Sequence, residues 1–358
     1  MSKVARNKIR VGVLFGGRSA EHEVSLRSAK NVIAAIDKAR YDVVPIAISK
    51  QGTWISGSGA KTLLAAGGVG ERALPAVRAA RGAIPIAYDL MRTIDVVFPV
   101  LHGTHGEDGT MQGLLTLADV PFVGPGVLGS AVGMDKDVMK RLLREAGIPT
   151  ADSVILRSTS DHSYASLVKK LGLPFFIKPA NLGSSVGVHK IKQARDFTMA
   201  LADALRYDTK VLAERFIPGR EIECSVIGNE KLIASLPGEI RPSHEFYTYE
   251  AKYLDPNGAA LEIPAALSKK MTRTVQSLAI RACKALCLEG MARVDFFLTQ
   301  DGAVYVNELN TLPGFTSISM YPKLWEASGI SQKKLVDTLI RLALARHAKE
   351  KKLFRGYV

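Results

Sequence analysis

Arg293, Asp295, Glu308 and Asn310 stand among strand-like apolar residues in the stretch RVDFFLTQDGAVYVNELNTLPG, Arg293 to Gly314. Two β-prone runs, Val294 to Leu298 and Ala303 to Val306, flank Gln300-Asp301-Gly302. Asp-Gly between such runs predicts an antiparallel hairpin. A hairpin sets the start of one strand beside the end of the next, so Asp295 and Glu308 become neighbours across it. Glu308 and Asn310 alternate with Leu309 and therefore share a face. Two carboxylates and an amide oxygen on one surface suit a hard cation such as Mg2+. A surface hairpin with ordinary turn acids fits this stretch equally well, so the rest of the chain must decide.

Three other stretches carry candidate chemistry. Lys178 opens Lys178-Pro179-Ala180-Asn181-Leu182-Gly183-Ser184-Ser185-Val186-Gly187, which lies between two apolar runs. Small residues there let backbone N–H groups approach an anion, the serine hydroxyls add donors and Lys178 adds charge. The spacing is not that of a Walker A loop, and a plain Gly-Ser hairpin is the alternative. His102 to Gly109 reads HGTHGEDG and follows the apolar run DVVFPVL, the place where parallel sheets put ligands. His102 and His105 lack a third metal ligand at useful spacing and read as hydrogen-bonded loop histidines. Gly124 to Gly129 matches G-x-G-x-x-G, with Glu145 downstream, and raises a nicotinamide-dependent oxidoreductase. Glu145 falls in a helical pattern and Pro125 suits that turn poorly, so a domain-crossing loop is preferred.

The elements that must position these residues alternate between strands and helices. Arg10 to Phe15 is a short strand, Gly16 to Ser19 a tight turn, and Glu21 to Ile36 a helix. Strand, glycine turn, helix opens a doubly wound α/β domain. Further strands are expected at Val43 to Ile48, Ile94 to Leu101, Pro121 to Val123, Leu173 to Ile177, Val211 to Phe216 and Ile222 to Ile227. Glu214 lies inside one of them, and Glu221 follows the turn at Ile217 to Arg220. Helices are expected at Met111 to Leu117, Lys136 to Ala146, Lys269 to Cys287 and Leu335 to His347. Ser56 to Pro85 is a Gly- and Ala-rich insertion, and Glu239 to Asp255 is a polar, aromatic loop suited to a lid.

With 358 residues, the chain can fill two or three domains, and 47% apolar with 23% charged residues is a globular composition. No apolar run approaches the ~20 residues of a membrane span, and Val11 to Phe15 is too short for a signal-peptide core, so the expected location is cytoplasmic. Cys224, Cys283 and Cys287 read as buried free thiols. The net charge of +14 would favour nucleic acid, but the basic residues are scattered and no recognition motif accompanies them. Only Lys349 to Arg355 is a concentrated run, read as a solvated, partly frayed end.

Taken in order, GGRSAEHEVS, LHGTHGEDGT, MDKDVMKRLL, IKPANLGSSVGV, ERFIPGREIE, YEAKY, ARVDFF and NELNTLPGFT resemble the ATP-grasp ligases, and within them the D-alanine–D-alanine ligase family. The resemblance runs nearly end to end, and the insertion from Ser56 looks like the longer of two common forms. It implies an α/β ATP-grasp fold with an N-terminal Rossmann-like parallel-sheet domain. The implied domains are 1–127, a central 128–221, and 222–358 carrying the metal site and lid. The implied reaction is ATP-dependent joining of two D-alanines through an acyl phosphate, for peptidoglycan precursor synthesis. D-serine or D-lactate as second substrate is the nearest alternative, and YEAKY is similar to the dipeptide-forming pattern.

The same resemblance implies roles by position. Lys136 and Lys178 would hold ATP phosphates, under a flap formed by Ser184, Ser185 and Val186. Glu214 and Ile217 would meet adenine, and Glu221 the ribose. Asp295, Glu308 and Asn310 would bind two Mg2+, or Mn2+ in their place. Arg293 and the backbone N–H of Gly314 would meet the tetrahedral oxyanion, and Lys252 the transferred phosphate. Glu21 would pair with the first D-alanine's ammonium, with His102 close by, while Ser319 and Met320 would surround the second carboxylate. Glu21, Ser184 and Tyr253 would form a bridge closing the lid. A homodimer is the implied assembly, with neither nucleic acid nor membrane as partner.

Overall fold

The computed structural model describes residues 8–67, 91–242, 259–354 and 356. Among these residues the strands form three sheets. The first contains β1 (Ile9–Gly16), β2 (Tyr41–Ile48), β3 (Trp54–Ile55) and β4 (Val96–Leu101), in the order β3-β2-β1-β4. β1 pairs parallel with β2 and with β4, and β3 adds an antiparallel edge. All six residues of β4 are buried, as a strand covered on both faces requires. Helices α1 (His22–Ala35) and α2 (Gly57–Ala66) belong to this unit, followed by α3 (Thr110–Leu117) and α4 (Val127–Met134).

α5 (Lys136–Glu145) leads to the second sheet. Its N-cap is Asp135, whose side chain accepts from the backbone N–H groups of Asp137 and Val138. The second sheet is antiparallel throughout. It contains β5 (Ser153–Leu156), β6 (Phe175–Pro179), β7 (His189–Ile191) and β8 (Val211–Arg215), in the order β5-β8-β6-β7. Its helices, α6 (Tyr164–Leu171) and α7 (Ala194–Ala204), supply Leu167, Phe197 and Leu201 to a core of its own with Phe175, Ile177 and Val211.

The third sheet contains β9 (Arg220–Gly228), β10 (Ile233–Ala234), β11 (Gly238–Pro242), β12 (Ala259–Glu262), β13 (Gly290–Leu298) and β14 (Val304–Asn310). Its order is β12-β11-β9-β13-β14, with β10 pairing to β9. α8 (Lys269–Ala285) buries Val275, Leu278, Ala279 and Ala282 against this sheet, in the i, i+3, i+4, i+7 rhythm of an amphipathic helix. α9 (Met320–Ala327) and α10 (Gln332–Glu350) then turn back toward the first sheet. Val11, Phe15, Val96 and Phe98 share one core with Phe315, Tyr321, Trp325, Leu335 and Leu339. Phe98 and Phe315 meet edge to face, their centroids 5.8 Å apart.

Several expectations change. Pro121 to Val123 is no strand; it contributes one parallel bridge, Val97 to Phe122. The glycine motif does not cross between domains as loop alone, because α4 begins at Val127, inside it. A Cβ on Gly129 would lie 2.7 Å from the Cys287 carbonyl oxygen, so that glycine serves helix packing. The strand expected from Ile222 begins at Arg220, so Glu221, after the turn, lies within β9. Cys224 and Cys283 are buried, but Cys287 is exposed, because α8 ends at Ala285 and Cys287 takes a left-handed φ of 55°. Lys349 lies in α10 and pairs with Glu230. The insertion is helical over Gly57–Ala66, and the rest of it, with the lid loop from residue 243, lies outside the described residues. Among the described residues no helix is long and apolar enough to cross a membrane.

Candidate active site

The hairpin forms as expected. Asp295 pairs with Glu308 and Arg293 with Asn310, with an irregularity between Asp295 and Phe296. Leu309 is buried while Glu308 and Asn310 are half-buried, so the last two share the open face. On the other side of β13, Asp295 faces Glu223 of β9. Glu223, Asp295 and Glu308 thus lie in one row across three strands, and sequence reasoning missed Glu223.

Carboxylates side by side repel unless cations stand between them. Arg293 supplies one: its Nε and Nη2 donate to Asp295 Oδ1 and Oδ2 at 2.8 and 2.7 Å, and Nε lies 2.8 Å from Glu223. Lys136 supplies another, 3.4 Å from Glu308. Asn310 donates its amide nitrogen to Asp295 Oδ2 at 2.9 Å, which turns its amide oxygen away from that carboxylate. Among the described residues no group of three or more His, Cys, Asp or Glu side chains is arranged to hold a metal ion. Asp295, Glu308 and the Asn310 amide are nonetheless an all-oxygen donor set, the chemistry that fits Mg2+ and not a thiophilic metal.

The second sheet faces this row across a cleft of about 190 Å3. Lys136, Lys178, Ser184, Ser185, Glu214, Ile217, Glu221, Asp295 and Glu308 line it, with Phe176, Phe216 and Phe296 as apolar wall. Val186, Asn310 and Arg293 are not on that wall. Lys136 Nζ donates to the Leu182 carbonyl at 2.7 Å, tying α5 to the loop after β6. Lys178 donates to Glu214 Oε1 at 2.6 Å, and Lys140, completely buried on α5, lies 2.6 Å from Glu214 Oε2. The two lysines hold the Glu214 carboxyl below the usual range against its burial. Burial pulls Lys140 down to about 8, an effect that the Glu214 charge opposes.

Ser184 and Ser185 both take left-handed backbone conformations, with φ of 55° and 59°. This costs roughly 1–2 kcal/mol per non-glycine residue and marks a loop held by its surroundings. The holding contact is a hydrogen bond from the Ser184 hydroxyl to Glu21 Oε1, between the second sheet's flap and the first residue before α1.

Glu21 is buried, and Gly103 passes so close that a Cβ there would lie 2.8 Å from Glu21 Oε2. The His102 ring meets the Leu312 carbonyl at 3.0 Å through Nδ1 and the Ser28 hydroxyl at 3.2 Å through Nε2. Burial pushes its pKa down, although the Glu21 charge opposes this. Glu107, another residue that sequence reasoning passed over, accepts from the Gly103 N–H at 2.8 Å. Burial and the Glu21 charge push its carboxyl up to about 8. Ser319 accepts from the Thr316 N–H at 2.9 Å, and a Cβ on Gly314 would lie 2.9 Å from its hydroxyl. Met320 is buried with Ile240 and Leu324. Lys252 and Tyr253 lie outside the described residues.

Two antiparallel sheets closing on a lysine- and carboxylate-lined cleft, beside a Rossmann-like parallel sheet, define an ATP-grasp enzyme. Residues 10–125 match the family model for the D-ala D-ala ligase N-terminus, and residues 142–341 that for the D-ala D-ala ligase C-terminus. The D-alanine--D-alanine ligase of Shouchella clausii is 51% identical over 97% of each chain. That of Oceanobacillus iheyensis is 50% identical over 97% of this chain and 98% of its own. The solved D-alanine-D-alanine ligase of Coxiella burnetii superposes with a TM-score of 0.83 at 40% identity, covering 97% of each chain. The VanG D-Ala:D-Ser ligase of Enterococcus faecalis gives 0.82 at 34% identity, over 94% of this chain and all of its own. The chain belongs to the D-alanine–D-alanine ligase family.

Proposed function

We propose that this chain joins two D-alanines to D-alanyl-D-alanine at the expense of ATP, in the cleft between its second and third sheets. The observation that carries the reading is the convergence of Lys136, Lys178, Asp295 and Glu308 on one cleft, with Glu21 latched to its flap through Ser184. A carboxylate is a poor acyl donor, since its leaving group would be oxide. Phosphorylation of the first D-alanine carboxylate converts it to an acyl phosphate, and the amine of the second attacks the acyl carbon as phosphate leaves.

Each residue then has work suited to its place. Lys136 and Lys178 offset phosphate charge, beneath Ser184, Ser185 and the Val186 backbone. Glu214, Ile217 and Glu221 form the nucleoside end. Asp295, Glu308 and Asn310 would hold two Mg2+ or Mn2+, which supply further charge neutralisation at the transferring phosphoryl group. Arg293, already oriented by Glu223 and Asp295, and the Gly314 N–H receive the developing oxyanion. Glu21 takes the first substrate's ammonium beside His102, Ser319 and Met320 bound the second substrate, and Lys252 and Tyr253 complete the lid. A closed lid matters because water would hydrolyse the acyl phosphate. We further propose domains at 1–127, 128–221 and 222–358, a cytoplasmic location and a homodimeric assembly, in keeping with a peptidoglycan-precursor enzyme.

Phosphate release from ATP with Mg2+ and D-alanine alone, yielding D-alanyl-D-alanine by mass, is the expected result. Release only when D-serine is added would move the chain toward the activity named for the Enterococcus faecalis structure. No release with any acceptor would remove the ligase reading.

A further inference from the structure

Lys140 has no place in the chemistry described so far, yet it is a completely buried cation beside the cleft. It sits one turn after Lys136 on α5, and the buried positions of that helix are Lys136, Met139, Lys140 and Leu143. Lysine thus occupies two positions of an apolar stripe. Lys136 reaches the cleft; Lys140 does not line it and lies behind Glu214. The Glu214 carboxylate is held from both sides, by Lys178 and by Lys140, each at 2.6 Å. Lys178 and, more weakly, Arg144, one turn further along α5, are the like charges felt at Lys140.

Of the two cations on Glu214, only Lys178 faces the cleft. A nucleotide phosphate competes with Glu214 for that ammonium. If Lys178 were the sole partner, its departure would leave a bare buried carboxylate, which is costly and favours protonation. A protonated Glu214 donates a hydrogen bond as well as accepting one. An ionised Glu214 only accepts, and so favours the amino edge of adenine over the carbonyl edge of guanine.

We propose that Lys140 is a positioning residue for nucleotide binding: it remains as the counter-ion of Glu214 when Lys178 turns to the phosphates, and keeps Glu214 an oriented, acceptor-only group. This rests on the nucleotide site proposed above. Lys140 touches no substrate and acts only through Glu214.

The test is a kinetic comparison of Lys140→Met, Glu214→Gln and the double variant with the wild type, using ATP and GTP as nucleotides at saturating D-alanine. Lys140→Met should raise KM for ATP by about tenfold or more, equivalent to the loss of roughly one charge-assisted hydrogen bond. It should narrow the ATP-over-GTP preference, with a smaller change in KM for D-alanine. In the Glu214→Gln background, Lys140→Met should have no further effect on KM for ATP. The double variant removes the buried Lys140–Glu214 ion pair as a unit and leaves Lys178 as it stands in Glu214→Gln, so it carries the test even if Lys140→Met does not fold. A Lys140→Met enzyme with wild-type ATP affinity and preference, or a double variant clearly worse than Glu214→Gln, overturns the inference. An unchanged KM for ATP in Glu214→Gln alone overturns the nucleotide-site reading, and the inference with it.

Discussion

Ser184 hydrogen-bonds to Glu21 across 163 residues of sequence, joining the flap of one sheet to the first turn of another. The bond holds closed a loop whose own backbone is in a costly conformation, and two substitutions separate the two effects. Ser184→Ala removes the hydroxyl and keeps the left-handed strain; Ser184→Gly removes both. Both should raise KM for D-alanine and lower kcat. Ser184→Gly should be the more stable by about 1 kcal/mol in urea unfolding. Equal stability would show that the strain is relieved by movement of the loop.

Asp295→Asn and Glu308→Gln keep the size of the side chains and remove one negative charge each. Turnover should fall by about 100-fold or more, because charge neutralisation at a transferring phosphoryl group is lost. Circular dichroism should remain that of the wild type. Chelation should stop phosphate release, and Mg2+ or Mn2+ should restore it in the wild type. Near-normal turnover in either variant removes that residue from the metal site.

Glu107 makes stability depend on pH. Its carboxyl is raised from near 4.5 to about 8 by burial and by Glu21, against hydrogen bonds from the backbone at Gly103 and Leu312 and the Arg293 charge. Between those values the folded protein holds a proton that the unfolded chain has released. The stabilisation is complete below the unfolded pKa and is lost as pH rises toward the folded one. Glu107→Gln imitates the protonated form. Wild type should therefore lose stability relative to Glu107→Gln between about pH 5 and 8, measured by urea midpoints. A constant difference would show that Glu107 does not titrate there.

Arg346 is buried, donating to the carbonyls of Gly124 and Phe122 at 2.6 and 2.9 Å, with its guanidinium over the Phe122 ring. Arg346→Ala strips two buried carbonyls of a charged donor and should cost about 2–4 kcal/mol in the urea transition. A loss under 1 kcal/mol would mean that water replaces the guanidinium.

The shared face of Glu308 and Asn310 beside Asp295 was legible because a hairpin has a simple rule: Asp-Gly set the turn, and period-two alternation put Glu308 and Asn310 together. The third carboxylate of the row, Glu223, was not legible, because adjacency of β9 and β13 spans some seventy residues and no local pattern encodes it. Lys140 did leave a signal. A lysine at a core position of an otherwise amphipathic helix implies a buried anion elsewhere. Which anion, Glu214, is fixed only by the packing of α5 behind the second sheet. The left-handed serines escaped notice because glycines flank them and appeared sufficient for the turn. Cys287 was misplaced because helix period was carried two residues beyond the true end of α8.

The shared core of the first and third sheets decides which part of the molecule is free to swing. Phe98 of β4 packs on Phe315, and Tyr41 of β2 hydrogen-bonds to Asp337 of α10. Those two sheets are a single block, and separating them would open an apolar interior to water. The second sheet closes its own interior with α6 and α7 and can tilt without exposing it. If nucleotide enters the cleft proposed above, tilting of that sheet is the expected route, and the Ser184–Glu21 bond ties the tilting part to the first sheet. Cutting the chain after α9 would do more than shorten it: it would strip Leu335, Val336, Leu339, Ile340 and Ala343 from the core that the first and third sheets share.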